Sequence, residues 1–202
     1  MRTTEILMSE HRVIERVLLC LDKMAESAFA KGTLDVPSAR DAIDFLRTFA
    51  DGCHHLKEES RLFPAMEKCG LPADAGPTSV MRHEHELGRA HIRKMAEAVE
   101  GAEKGDARAA DRFAFEARGF VDLLREHIAK EDQVLFPMAD RMLPGAVQDE
   151  LLRGFEHAEA HEVGAGAHER CLALADTLCA RFGVTLQIAQ AKGHACSCSH
   201  AH

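Results

Sequence analysis

No tyrosine and no tryptophan occur among the 202 residues. Without tyrosine there can be no tyrosyl radical, phenolic acid or phenolate ligand. Blocks of lysine and arginine are also missing, and 33 acidic against 25 basic residues leave a formal charge of −8. A phosphate-binding groove begins with clustered cations, so nucleic acid is not an expected partner. No apolar run approaches the roughly 20 residues that a membrane helix requires, which excludes a membrane span. The opening MRTTEILMSEHR carries charges where a secretory leader needs an apolar stretch, so no leader is expected. Seven scattered cysteines, an odd number, read as reduced thiols rather than a disulfide framework. The expectation is a soluble, acidic, cytoplasmic protein with enough chain for one compact core.

Strands of alternating polarity are absent too, and the pattern is helical almost throughout. One amphipathic stretch runs from about Thr4 to Lys31 and stops at Gly32. Pro37-Ser38 opens a second that ends at Cys69-Gly70, and a Pro/Gly-rich loop over 71–77 leads to a third that fades near Gly105. Asp106 can cap a fourth, which ends at Pro144-Gly145; a fifth region is broken by Gly164-Ala165-Gly166. The fold class is all-α.

The seams of these helices repeat. Leu7, His11, Ile14, Leu18, Leu21, Ala25 and Ala28 follow steps of four and three, and Met81, His85, Gly88, Ile92, Met95, Val99 and Ala102 follow the same steps 74 residues later. Such spacing lays each set on one inward face of a bundle helix. Each seam is apolar except for a single histidine, and a buried imidazole needs a partner for both nitrogens. The second and fourth helices repeat as well: HHLKEESRLFPAME, 54–67, aligns with HIAKEDQVLFPMAD, 127–140, at an offset of 73. The chain reads as a duplicated helical hairpin, each copy offering a seam histidine and a His-x-x-x-Glu pair.

Residues four apart on a helix lie about 40° apart in azimuth and roughly 6 Å apart along the axis. His54 with Glu58, and His127 with Glu131, can therefore converge on one inward point. With His11 and His85 they make four imidazoles and two carboxylates from four helices. That set suits two metals bridged by the carboxylates, each with two nitrogens and two oxygens. An oxo or hydroxo bridge would bring each to five ligands and leave a sixth position for an exogenous one. Carboxylates aimed into a core are otherwise prohibitive, which favours metal over an empty polar cluster. The Leu-Phe-Pro beyond each glutamate reads as structural. Pro64 and Pro137 should bend the helix past the ligands, and Phe63 and Phe136 should keep that end dry.

On the ordered pattern His11, His54 with Glu58, His85, and His127 with Glu131, the chain resembles the hemerythrin-like family, also called the HHE cation-binding domain. The resemblance covers about residues 1–143 and implies an up-down-up-down four-helix bundle. It further implies two non-haem irons meeting O2, NO or peroxide. The oxygen-carrying members place a second histidine four residues after the third-helix one. Here that place is Arg89, so the pair looks more symmetric and is more similar to di-iron proteins of nitrosative stress and iron–sulfur cluster repair. Ferritin-like storage is disfavoured, because no histidine has a glutamate three residues before it. Three readings stand: a module that binds or senses O2 or NO in stress response, an enzyme reducing peroxide or nitric oxide with an unidentified redox partner, and an iron-handling or cluster-repair protein.

Other residues are less decisive. His55 lies about 100° round the helix from His54 and reads as a neighbour of the site or a further ligand. His83 and His91 fall off the seam and should be exposed. The fifth region, 144–183, should dock on the bundle through Leu172, Leu174, Ala175 and Leu178, and its Glu159 could reach an iron if the helix crosses the bundle mouth. Cys20, Cys53, Cys171 and Cys179 read as small core residues. The tail, 184–202, should be flexible; it carries His194, Cys196, Cys198, His200 and His202, which could bind a soft metal.

Overall fold

A computed structural model describes residues 2–164 and 166–185, and the cysteine- and histidine-bearing end of the tail lies outside the described residues. Helix α1 is Thr3–Lys31; Glu5 turns back to accept the Arg2 N–H at 2.9 Å, and Gly32 closes the helix at φ 65°. The second rod spans 36–68: α2 (Val36–Phe45), π-helical turns over Leu46–His55 and Glu58–Leu62, then α3 (Phe63–Lys68). Helix α4 (Pro77–Glu103) begins with proline at its first position, where a missing N–H is tolerated. The fourth rod joins α5 (Ala109–Lys130), a π turn (Glu131–Leu135) and α6 (Phe136–Met142). It starts two residues later than a cap at Asp106 would give, because Asp106 accepts the Arg108 N–H and completes a turn before the helix.

Contacts between rods fix their directions. Thr4 reaches Asp140, His11 reaches Asp132 and Asp22 reaches Arg125, so the first and fourth rods run antiparallel. Glu67 with Thr78, and Asp51 with Arg89, set the second rod antiparallel to the third. Glu84 with His127, and His91 with Glu116, set the third rod antiparallel to the fourth, which completes the up-down-up-down order. Both seams face the core, with only Ala102 partly exposed.

Two further helices follow. Helix α7 (Gly145–His157) continues as a π-helical stretch, Ala158–Gly164, and α8 is Ala167–Phe182. The break falls at Gly164 and Gly166, both at positive φ (100° and 74°), a region where a Cβ is costly. Helix α8 lies along α1 and α2: Arg16 meets Asp176, Lys23 reaches the Phe182 carbonyl, and Arg181 bonds Ser38. Ala175, Leu178, Cys171 and Cys179 are buried there beside Cys20, and Leu172 and Leu174 pack partly against the same cluster. Leu151 and Phe155 of α7 join Leu7, Leu62 and Phe63 in a second cluster at the other end. Among the described residues no helix is long and apolar enough to cross a membrane.

Candidate metal centre

The four rods bring six imidazole and carboxylate side chains together in the bundle interior, and His55 joins them as a seventh. Two groups form within it, each with ligand atoms within 4.8 Å of one another. One is His11, His54, Glu58 and Glu131; the other is His55, Glu58, His85 and His127. All seven are buried. Each carboxylate links the two groups. Glu58 approaches His54 Nε2 with Oε1 and His85 Nε2 with Oε2, both at 3.5 Å. Glu131 Oε2 lies 3.2 Å from His11 Nε2 and 3.3 Å from His127 Nε2.

The π turns explain how Glu58 and Glu131 sit where they do. The Phe63 N–H donates to the Glu58 carbonyl and the Phe136 N–H to the Glu131 carbonyl, five residues back in each copy. Each wide turn takes up one extra residue before the Phe-Pro step, so Pro64 and Pro137 enter a fresh α-helical turn at its second position. Beyond the bulges the phenyl rings cover the imidazoles. Phe136 stacks on His11 at 5.4 Å and 15°, and Phe63 on His85 at 6.0 Å and 18°.

A second layer of carboxylates aims the imidazoles. His11 Nδ1 donates to Asp132 at 2.7 Å and His85 Nδ1 to Glu59 at 2.6 Å. His54 Nδ1 donates to Glu10 and His127 Nδ1 to Glu84, both at 2.9 Å. With Nδ1 so engaged, Nε2 of each ring faces inward, and those of His85 and His127 lie 3.1 Å apart and share a hydrogen bond. Lys57 then bonds Glu10, and Lys130 bonds Glu84. This layer obeys the same duplication as the inner one, since Glu10 and Glu84 are 74 apart and Lys57 and Lys130 are 73 apart.

The electrostatics of the protein alone are those of a site short of positive charge. Burial and the neighbouring Glu131 push Glu58 well above the usual carboxylate range. Burial acts on Glu131 too, but His127 and His11 outweigh it and hold Glu131 well below that range. Burial and His11 depress His54 to about 4, and burial and His85 depress His55 to about 3. His127 is raised to about 9, because Glu131 and Glu84 overcome its burial. Both oxygens of Glu58 and of Glu131, with Nε2 of His11 and of His54, have no hydrogen-bond partner among the described residues. Orphaned acceptors of this kind at zero exposure are costly. A cation meets all of them at once, and mixed imidazole and carboxylate donors suit iron among other divalent metals.

The sequence pattern named the six inner residues, and the structure gathers all six. It also gathers His55, whose ring stacks on His85 at 3.7 Å, so the group around His85 and His127 has one more imidazole than the other. The two halves are therefore less alike than the sequence suggested. Arg89, at the place where oxygen carriers have a histidine, instead ties Asp51 to Glu59. Glu159 stands outside both groups and bonds Lys57, with Glu10 between it and His54. His83 is exposed, whereas His91 is half-buried and donates to Glu116 at 2.7 Å. The outer residues Glu10, Glu84, Lys57 and Lys130 escaped the sequence reading, although the repeat offset that relates the inner residues relates them as well.

The family model for the hemerythrin HHE cation-binding domain matches residues 2–139. Uncharacterized proteins of Mycobacterium bovis and Mycobacterium tuberculosis are 28% identical to this chain over 160 residues, 79% of its length. The chain spans 62% of the length of these relatives. No solved structure matches it significantly.

Proposed function

The chain belongs to the hemerythrin HHE cation-binding family, and on that premise we propose that it holds two non-haem irons that bind or sense O2, NO or a peroxide in oxidative or nitrosative stress. The observation carrying this reading is two buried groups of imidazoles and carboxylates that share Glu58, in which atoms of His11, His54, His55, Glu58 and Glu131 have no hydrogen-bond partner among the described residues. His11, His54, Glu58 and Glu131 would hold one iron; His55, His85 and His127 would hold the other, with the two carboxylates spanning both. When bound, such a pair supplies one-electron redox steps and an open position for a small ligand.

The protein's own contribution is orientation and exclusion. Asp132, Glu59, Glu10 and Glu84 keep each Nδ1 protonated and each Nε2 directed inward. Phe63 and Phe136 shut water from the rings they cover. Carboxylates and imidazoles bind a metal in their deprotonated forms, so metal uptake is coupled to loss of any protons these groups carry.

The two outer layers differ in exposure, and this supports a second reading. Lys57 is buried, whereas Lys130 and Glu84 reach the surface beside His127. Such a surface suits electron entry in an enzyme that reduces peroxide or nitric oxide.

Metal analysis with a visible spectrum of protein grown in iron-supplemented medium is the first test. About two irons per chain with ferric bands supports the centre; a single zinc, or no metal, overturns it. Stopped-flow mixing with O2, NO and peroxide then separates the readings. A stable adduct marks a binding protein and repeated turnover marks an enzyme.

A further inference from the structure

We infer that the face formed by Val80, Met81, Val134 and Leu135 is a docking site for an acidic amphipathic helix of a partner protein. The argument begins with the duplication. Ile6, Leu7, Lys57, Arg61 and Leu62 of the first copy correspond to Val80, Met81, Lys130, Val134 and Leu135 of the second. In the first copy this face is covered by a helix. Leu151 and Phe155 of α7 pack with Leu7 and Leu62, and Ile6 and Val147 close the edge of that cluster. Gly154 lets α7 come close, since a Cβ there would lie 3.2 Å from Arg61 Cδ. One turn beyond Phe155, Glu159 gives Lys57 its second carboxylate besides Glu10.

In the second copy Met81 and Leu135 are buried, but the outer pair above them, at the places of Ile6 and Arg61, has no helix over it among the described residues. Val80 is 48% exposed and Val134 52%. With Pro77, Met81, Leu135 and the stem of Lys130 they line a recess of about 180 Å³. Where the first copy has Arg61, the second has an apolar side chain facing solvent. Lys130 bonds Glu84 as Lys57 bonds Glu10, but its side chain is 42% exposed where that of Lys57 is 0%.

The occupant's chemistry can be read from the helix that fills the equivalent place. It carries an apolar pair at i and i+4, as Leu151 and Phe155 are spaced, and a carboxylate at i+8, as Glu159 stands. The apolar pair seats on Val80 and Val134, the equivalents of Ile6 and Arg61 that α7 lies against, and the carboxylate gives Lys130 a second partner. The inference stands on the surface and the repeat, and it does not depend on which metal the interior holds.

The test uses the full chain, metal-loaded, and a fluorescently labelled synthetic peptide of residues 145–164 as probe. Saturable binding is expected in anisotropy titrations. Val134→Glu, and separately Val80→Asp, should each weaken it at least about tenfold. Glu159→Gln in the peptide should weaken it several-fold, and Phe115→Glu, at an exposed apolar residue elsewhere, should leave it unchanged. No saturation up to on the order of 1 mM overturns the proposal. Equal binding to both face variants also overturns it, because the peptide is then displacing α7 instead. Sedimentation showing a dimer that Val134→Glu dissociates would assign the face to a second copy of this chain and overturn the partner helix.

Discussion

Lys57 and Lys130 occupy matched positions and make matched bonds, so the same substitution at each isolates the effect of burial. Lys57 is enclosed between Glu10, itself 4% exposed, and Glu159, which is 37% exposed. Replacement by methionine keeps the length of the stem and removes the ammonium. Glu10 then keeps His54 but loses its cation, and breaking a buried pair from one side costs about 3–5 kcal/mol. The arm to Glu159 adds little, because solvent screens it. Lys130→Met removes a half-exposed pair, which costs under about 1 kcal/mol. For a chain of this size 1 kcal/mol moves Tm by roughly 2–4 °C. Lys57→Met should therefore lower Tm by roughly 6–20 °C and Lys130→Met by at most about 4 °C. Scanning calorimetry at one fixed iron concentration is the assay, since bound metal shifts Tm by mass action. Adding Glu10→Gln to Lys57→Met should recover part of the loss, because the stranded charge goes with its partner. Equal falls for the two single variants would refute the reasoning.

Glu58→Ala and Glu131→Ala should each reduce iron per chain and lower Tm in iron-containing buffer, measured by elemental analysis and calorimetry; unchanged stoichiometry in both would remove them as ligands. Glu84→Gln should loosen metal about 10–100-fold in chelator competition, because it unfixes His127; retention equal to the parent protein would make that hydrogen bond incidental. Gly76→Ala should cost about 1–3 kcal/mol in urea denaturation, since the new Cβ would fall 2.2 Å from the Pro72 carbonyl oxygen ahead of α4.

The four rods, their turns and the six inner imidazole and carboxylate residues are readable in the sequence because each leaves a periodic trace. Seam residues recur every three or four positions, and the duplication prints them twice. The outer layer is harder to see for a geometric reason. Glu10 and Glu84 directly precede seam histidines, so each lies about 100° off the seam and reads as a solvated residue. Their burial comes from the adjacent rod, which no single helix pattern contains. His55 is hidden in the same way, and it is the wide turns of Leu46–His55 that allow it and His54 both to point inward. The π turns themselves leave no periodic signal, and the proline after each hints at a bend without giving its form. The place of Glu159 depends on how α7 crosses the bundle, a tertiary matter that composition does not reach.

The wide turns at Glu58–Leu62 and Glu131–Leu135 set the phase of everything beyond them. Each amounts to a helix with one residue inserted. Deleting Ser60 or Gln133 would restore regular winding, yet it would rotate the downstream residues by about 100°. Phe63 would swing away from His85 and Phe136 from His11, while Glu67 and Asp140 would release Thr78 and Thr4. Changes of length in this chain can be absorbed at Gly32, Gly70 or Gly105, where loops begin. At these two turns a single codon sets the azimuth of the ring above the site.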